Sequence, residues 1–359
     1  MTNPQQPNSD EFLFLGTAGD ADHLRNTVFD KLTDQQNSYF WRPTEVDVTK
    51  DKDDFKRLIP QEQHIFLSNI KRQVILDKKQ SIAPSMAFSP IASQPDVQDW
   101  ITTWSYFETI HNASYKHIIK NSLTNPSEVL STLYDIPEIA ACANDISSEY
   151  DDLVMMNAIA KIHGTGYLDP RKYRMAILKA LFAANILEGV RFYVSFACSW
   201  AFAEQKKAME GNAKIIKLIA RDENLHQAGT QHMNKRACAA DPLMAEVRAS
   251  DEFITSALGM FSRAVTQEKQ WAEYLFKHGS MIGLNYDMLC AFIDYRANKC
   301  KHALGLPATP AGSDPLPWTK KWIAGSDVQV APQEVEESRY TIGAVKMDVH
   351  AKSFNGLTL

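Results

Sequence analysis

Two short runs in this chain carry a spacing that metal chemistry uses. In WSYFETIHNASYKH, Glu108 and His111 stand three residues apart, and in IARDENLHQAGTQH, Glu223 and His226 repeat the interval. On a helix a three-residue step returns to the same face, so each pair would aim a carboxylate and an imidazole at one point. One such pair arises by chance on surface helices. Two of them, far apart in sequence, match the ligand set of carboxylate-bridged dimetal sites, in which each of two further helices adds one carboxylate. Tyr115 continues the first stripe one turn past His111.

The two missing carboxylates should be acids on otherwise apolar helix faces, because an unpaired buried charge is too costly without a metal or a counter-charge. Asp77 follows Phe66, Ile70 and Val74 on one stripe, and Glu188 shares a stripe with Leu181, Phe192 and Phe196. Either acid alone would more often be a surface charge or half of an ion pair; together they complete the set. Four carboxylates against two divalent cations leave the cluster near neutral. Hard carboxylates with two imidazoles and no thiolate suit iron first, or manganese, over zinc or copper(I). Asp222, about 100° around the helix from Glu223, is placed to hold the tautomer of a ligating histidine, or to pair with Arg221.

These residues need long helices to carry them. Apolar positions recur at three- and four-residue steps from about Leu58 to Leu304, glycine is sparse, and alternation of β-branched with polar residues is rare. The pattern predicts an all-α body with helices near 23–35, 60–83, 94–121, 126–134, 136–163, 170–208, 211–237, 251–277 and 285–303. Long helices with thick apolar stripes bury best against one another, giving a ferritin-like bundle around a dimetal-carboxylate core. The expected organisation is an N-terminal tail over 1–22, the helical domain over 23–304, and an extended, flexible C-terminal tail over 305–359. That tail opens with Pro307, Pro310, Pro315 and Pro317 and ends on scattered apolar residues. Such a segment cannot build its own core and either frays or orders on a partner.

Bulk properties remove other classes. The chain has 359 residues, 45% of them hydrophobic, enough for a large core. A formal charge of -5 gives no reason to expect nucleic-acid binding. Five cysteines without a C-x-x-C pair, and an N-terminus without an apolar signal core, point to the cytoplasm. Leu181 to Ala203 is long enough to span a membrane, yet Glu188 and Arg191 would each cost about 2.5–3.5 kcal/mol near the bilayer centre. A buried helix, apolar on nearly all sides, is the expectation.

Nearly the whole chain resembles the small (β, or R2) subunits of class Ia ribonucleotide reductases, from FWRPTEVDV through RFYVSFACSWAFAE to SRY. The likeness includes LDKKQS, ETIHNASYKH, EGNAKIIKLIARDE and the NVQ-like DVQVAPQEVEES. The resemblance implies one metal held by Asp77, Glu108 and His111 and another by Glu188, Glu223 and His226, with Glu108 and Glu223 bridging two iron ions. Tyr115 falls where the family keeps its stable tyrosyl radical, and Phe192, Phe196 and Ile219 resemble its apolar pocket. Trp41 matches the tryptophan that relays electrons through Asp222 and His111. Tyr340 matches the tail tyrosine that passes the radical onward, with Glu334 assisting. The likeness also implies a homodimer, docked by its C-terminal tail to a large subunit where ribonucleotides become deoxyribonucleotides. The chain itself shows no phosphate cradle and no cysteine motif suited to that chemistry.

One departure is the link KIHGTGYLDPRKY, shorter than in relatives that carry an extra hairpin there. Two other readings share the bundle and ligand set: a diiron oxygenase or desaturase acting directly on an organic substrate, and an iron-storage protein. The first would leave Tyr115, Trp41 and the tail without a role, and the second would assemble as a cage.

Overall fold

Proline placement explains where many helices begin. Pro60, Pro95, Pro126, Pro137, Pro170 and Pro242 each stand first in a helix, where the missing N–H is no loss and the fixed φ already suits the turn. The structure, a computed structural model, describes residues 12–16 and 27–323. Its helices are α1 (Val28–Ser38), α2 (Thr49–Arg57), α3 (Pro60–Gln80), α4 (Ala83–Phe88), α5 (Pro95–Ser122), α6 (Pro126–Ser131) and α7 (Pro137–His163). They continue with α8 (Pro170–Ile186), α9 (Phe192–Ala201), α10 (Glu210–Ala240), α11 (Pro242–Ala249), α12 (Asp251–Phe276), α13 (Tyr286–Ala303) and α14 (Lys320–Ile323). Among the described residues there is no strand, only the isolated bridges Phe14–Ala92 and Met281–Leu284.

The all-α expectation holds, with differences that have local causes. The first helix starts at Val28 because Thr27 caps it: the Thr27 hydroxyl accepts from Phe29 N and Asp30 N, and Asp30 accepts from Thr27 N in return. Its expected residues 23–26 lie outside the described ones. The helix expected over 60–83 stops at Gln80, and α4 starts separately beside Pro84. The helix expected over 126–134 ends at Ser131. The long helix expected over 170–208 is interrupted by two π segments, Leu187–Arg191 and Phe202–Lys206. Of the stretch expected as an extended tail from 305, the part up to Ile323 packs on the body instead, with Leu306, Leu316 and Thr319 buried and Asn224 donating to Ile323 O at 3.0 Å, while 324–359 lie outside the described residues.

α3, α5, α8 with α9, and α10 pack around one core, with α12 and α13 against α8, α9 and α3, and α1 and α2 across α5 and α10. Every residue from Ala180 to Ala203 is buried. Among the described residues no helix is long and apolar enough to cross a membrane. A buried ion cluster ties the outer helices to the inner ones. Arg72 of α3 pairs with Glu268 of α12, donating from Nη1 to Oε2 at 2.7 Å, and Arg191 also reaches Glu268, at 3.4 Å. Glu268 is fully buried and is the one carboxylate that Arg72 pairs with among the described residues, so Glu268→Ala strands the Arg72 guanidinium in the core. The expected loss is about 3–5 kcal/mol in a denaturant unfolding curve, and a loss under 1 kcal/mol would refute this.

The start of α10 is held from outside. The chain enters it through Lys207 and Met209, both left-handed with φ of 55° and 56°, a conformation that costs non-glycine residues on the order of 1–3 kcal/mol each. No side chain of the helix itself caps that end. Asp54 accepts from Met209 N at 3.0 Å, and Asp51 accepts from Gly211 N at 3.1 Å and Asn212 N at 2.6 Å. Burial pushes the Asp51 carboxyl from 3.8 up to about 6, against the lowering pull of those two amides. A carboxyl raised in the folded state stabilises most at low pH. That contribution fades between pH 3.8 and about 6, worth roughly 3 kcal/mol at 1.36 kcal/mol per unit. Asp51→Asn should remove this slope and add a pH-independent cost of about 1–3 kcal/mol for the lost acceptor. Unfolding curves of the two proteins that stay parallel from pH 4 to 7 would refute the assignment.

Candidate metal centre

The helical period places the two Glu-x-x-His pairs face to face. Glu108 and His111 lie on α5, Glu223 and His226 on α10, Asp77 on α3, and Glu188 in the π segment between α8 and α9; all six are fully buried. Glu108 presents Oε2 to His111 Nδ1 at 3.3 Å and Oε1 to His226 Nδ1 at 3.0 Å. Glu223 does the same, with Oε1 at 3.2 Å from His111 Nδ1 and Oε2 at 3.4 Å from His226 Nδ1. Two ligand clusters result, Asp77 with Glu108 and His111, and Glu108 with Glu188, Glu223 and His226, the atoms of each lying within 4.8 Å of one another.

The electrostatics suit cations. Burial raises Asp77 and Glu188 well above the usual carboxylate range. Burial also works against a charged Glu108, yet His111 and His226 bring its carboxyl down to about 2. Burial opposes charge on His226 too, but Glu108 and Glu223 lift it to about 10. In a dry core these acids and imidazoles share protons where two divalent ions would supply the same charge. The donors fit a metal on their own terms. Glu188 Oε2 and both Asp77 oxygens have no hydrogen-bond partner of regular geometry, the Tyr115 hydroxyl lying close enough to Asp77 to influence its carboxyl.

Surrounding groups aim these ligands. His111 Nε2 lies 3.2 Å from Asp222 Oδ2, which also accepts from Trp41 Nε1 at 2.9 Å, while Asp222 Oδ1 accepts from Arg221 at 3.1 and 3.2 Å. Asp222 therefore joins the histidine, the tryptophan and the arginine together. Tyr115 is fully buried beside Asp77, and burial, then the Asp77, Glu223 and Glu108 charges, raise its phenol well above the usual value. Phe192, Phe196 and Ile219 are fully buried in the same core, the two rings 5.7 Å apart. Tyr340 and Glu334 lie outside the described residues.

Three participants escaped the sequence reading. Gln80 Nε2 donates to Glu188 Oε1 at 2.7 Å, Tyr150 donates to Gln80 Oε1 at 3.2 Å, and Trp104 donates to Glu108 Oε1 at 3.2 Å. Gln80 and Trp104 stand three and four residues from ligands, a spacing that could have found them. Tyr150 comes from α7 and carries no such signal.

Four helical segments that bring four carboxylates and two imidazoles to one dry point define a ferritin-like bundle able to hold two metal ions. The family described as "Ribonucleotide reductase, small chain" matches residues 23–309. The chain is 44% identical to the ribonucleoside-diphosphate reductase subunit beta of Haemophilus influenzae, over 94% of this chain and 92% of that one. It is 36% identical to the subunit beta of Enterobacteria phage T4, over 98% and 96%. The ribonucleotide reductase R2 subunit from Clostridium botulinum shares the fold, with a TM-score of 0.74 at 21% identity over 87% of this chain and 94% of that one. The chain belongs to the ribonucleotide reductase small-chain family, and it is an oxidoreductase subunit. Membership implies a large-subunit partner and dimerisation. An R2-like ligand-binding oxidase has the fold as well, with a TM-score of 0.61 at 14% identity over 81% of this chain and 97% of that one; the oxygenase and storage readings gain nothing further.

Proposed function

We propose that this chain generates and stores a tyrosyl radical on Tyr115 and passes it to a large subunit that reduces ribonucleoside diphosphates. The observation that carries this reading is the paired arrangement of Glu108 and Glu223, each offering one oxygen to each histidine, with Tyr115 one turn away. Asp77, Glu108 and His111 would hold one ion, and Glu188, Glu223 and His226 the other, Glu108 and Glu223 bridging. Hard oxygen donors favour iron, with manganese the other candidate. Bound there, the ions together with dioxygen supply the power to remove one electron from a phenol.

The residues then divide the work. Tyr115 gives up an electron, and the Asp77 carboxylate beside its hydroxyl is the nearby base for the proton. Phe192, Phe196 and Ile219 keep water and reactive groups from the oxidised ring. Asp222 keeps the His111 tautomer, so that Nδ1 faces the carboxylates, and holds the Trp41 indole N–H. Trp41 would carry electrons between His111 and the protein surface, and Tyr340, assisted by Glu334, would hand the radical to the large subunit through the C-terminal tail. Two copies of the chain would form the working dimer in the cytoplasm.

Full-length protein supplied with Fe(II) and then dioxygen should bind two ions per chain and show a tyrosyl signal by electron paramagnetic resonance. Fewer than two ions per chain, or no organic radical with either iron or manganese, would overturn the proposal.

A further inference from the structure

Glu188 reaches the cluster from a π turn, a register that is rare and that recurs at functional sites. Something outside the helix must hold it. At one end, Arg191 anchors to α7 and α12, pairing with Asp145 and donating to Gln267 at 2.7 Å. At its centre, Gly189 approaches α10 and α13 so closely that a methyl there would overlap Gln227 Nε2 and Cys300 Sγ. On that same face Arg296 of α13 donates from Nε to Gly189 O at 2.9 Å.

Arg296 is an unusual core residue. It is 5% exposed, and among the described residues its partners are the Gly189 carbonyl and the Tyr193 ring, with no ion pair to a carboxylate. Its guanidinium lies 3.4 Å from the centre of the Tyr193 ring. Tyr193 in turn donates to Asn224 Oδ1 at 2.7 Å, next to Glu223, and Asn224 holds Ile323 O. A buried cation held by a carbonyl and a ring costs folding energy, and an apolar residue of similar size would serve packing as well. What an apolar residue would not supply is a donor to the carbonyl adjacent to Glu188.

We infer that Arg296 is a positioning residue for the metal site: through Gly189 O it sets the π turn that aims Glu188, and Tyr193 and Asn224 hold it in place. The inference rests on Glu188 being a ligand, as proposed above. It predicts an effect on one ion of the two, the one bound by Glu188, Glu223 and His226, since Asp77 and His111 stand on other helices.

Full-length wild type, Arg296→Met, Arg296→Lys and Glu188→Gln would be titrated with Mn(II), following free and bound ion by electron paramagnetic resonance, with a thermal unfolding curve for each. Arg296→Met should bind one Mn(II) as wild type does and the second about 10- to 100-fold more weakly, the range for outer groups that orient ligands. Arg296→Lys, which keeps a donor but not the planar fork, should fall between. Wild-type binding of both ions by Arg296→Met overturns the inference. So does equal weakening at both sites with a lowered unfolding transition, which would mark general loosening. Should Arg296→Met not fold, Arg296→Lys decides, and wild-type binding at both ions there overturns the inference too. If Glu188→Gln retains both ions, the ligand assignment itself fails; if it loses one while Arg296→Met matches wild type, only the role of Arg296 fails.

Discussion

A Tyr115→Phe variant is expected to load two metal ions per chain, to show no tyrosyl radical, and to support no ribonucleotide reduction with the large subunit. The substitution keeps the ring and removes one hydroxyl from a fully buried site. The volume falls only by one oxygen, and loss of one buried hydroxyl should alter stability by about 1 kcal/mol. The variant therefore separates a radical-bearing tyrosine from a packing one. A packing role predicts a normal radical signal and normal turnover, and observing both would end the assignment. Metal analysis on the same sample guards against mistaking an empty site for a missing radical.

The second large effect is expected at Asp222. Its two oxygens serve three partners, with Oδ2 shared by His111 and Trp41 and Oδ1 taken by Arg221. Asp222→Asn keeps the shape but leaves one acceptor oxygen for all of them and turns an amide N–H₂ toward another donor. Groups that orient a ligating histidine typically change metal affinity about 10- to 100-fold. Turnover with the large subunit should fall further than metal occupancy explains, because Trp41 loses its acceptor as well. An Arg221→Gln comparison distinguishes the ordinary ion pair from the relay. If Arg221→Gln matched Asp222→Asn in metal affinity and turnover, Asp222 would be no more than half of a salt bridge.

Much of this site was readable before any fold was known. A three-residue interval puts Glu and His on one helix face in any surroundings, so both pairs survive into the structure as opposed clusters. Asp77 and Glu188 were legible because an acid within an apolar stripe must be compensated once that stripe is buried. The helical body followed from apolar periodicity, and the buried course of the segment around Leu181–Ala203 from its apolar length and the cost of placing Glu188 and Arg191 in a bilayer.

Other features depend on contacts between distant segments. Asp51 and Asp54 stand in TKDKDDF, which reads as a solvated, charged run, and α2 was missed for want of an apolar stripe. Only packing against the start of α10 makes those acids its caps, across 160 and 155 residues of sequence. Tyr150 reaches Gln80 from 70 residues away. The π turn at LEGVR has no proline, and a single glycine does not specify a π register; that register depends on how Gly189 seats against Gln227, Cys300 and Arg296.

The sequence by itself thus determined which side chains share a helix face and which acids in apolar stripes need a compensating charge once buried, because both follow from the helical period and the cost of burying charge. Tertiary structure alone decided that the faces meet, that each bridging candidate offers one oxygen to each histidine, and that Asp222 joins Trp41 to His111. Those are distances between segments far apart along the chain, set by how whole helices pack rather than by any local preference.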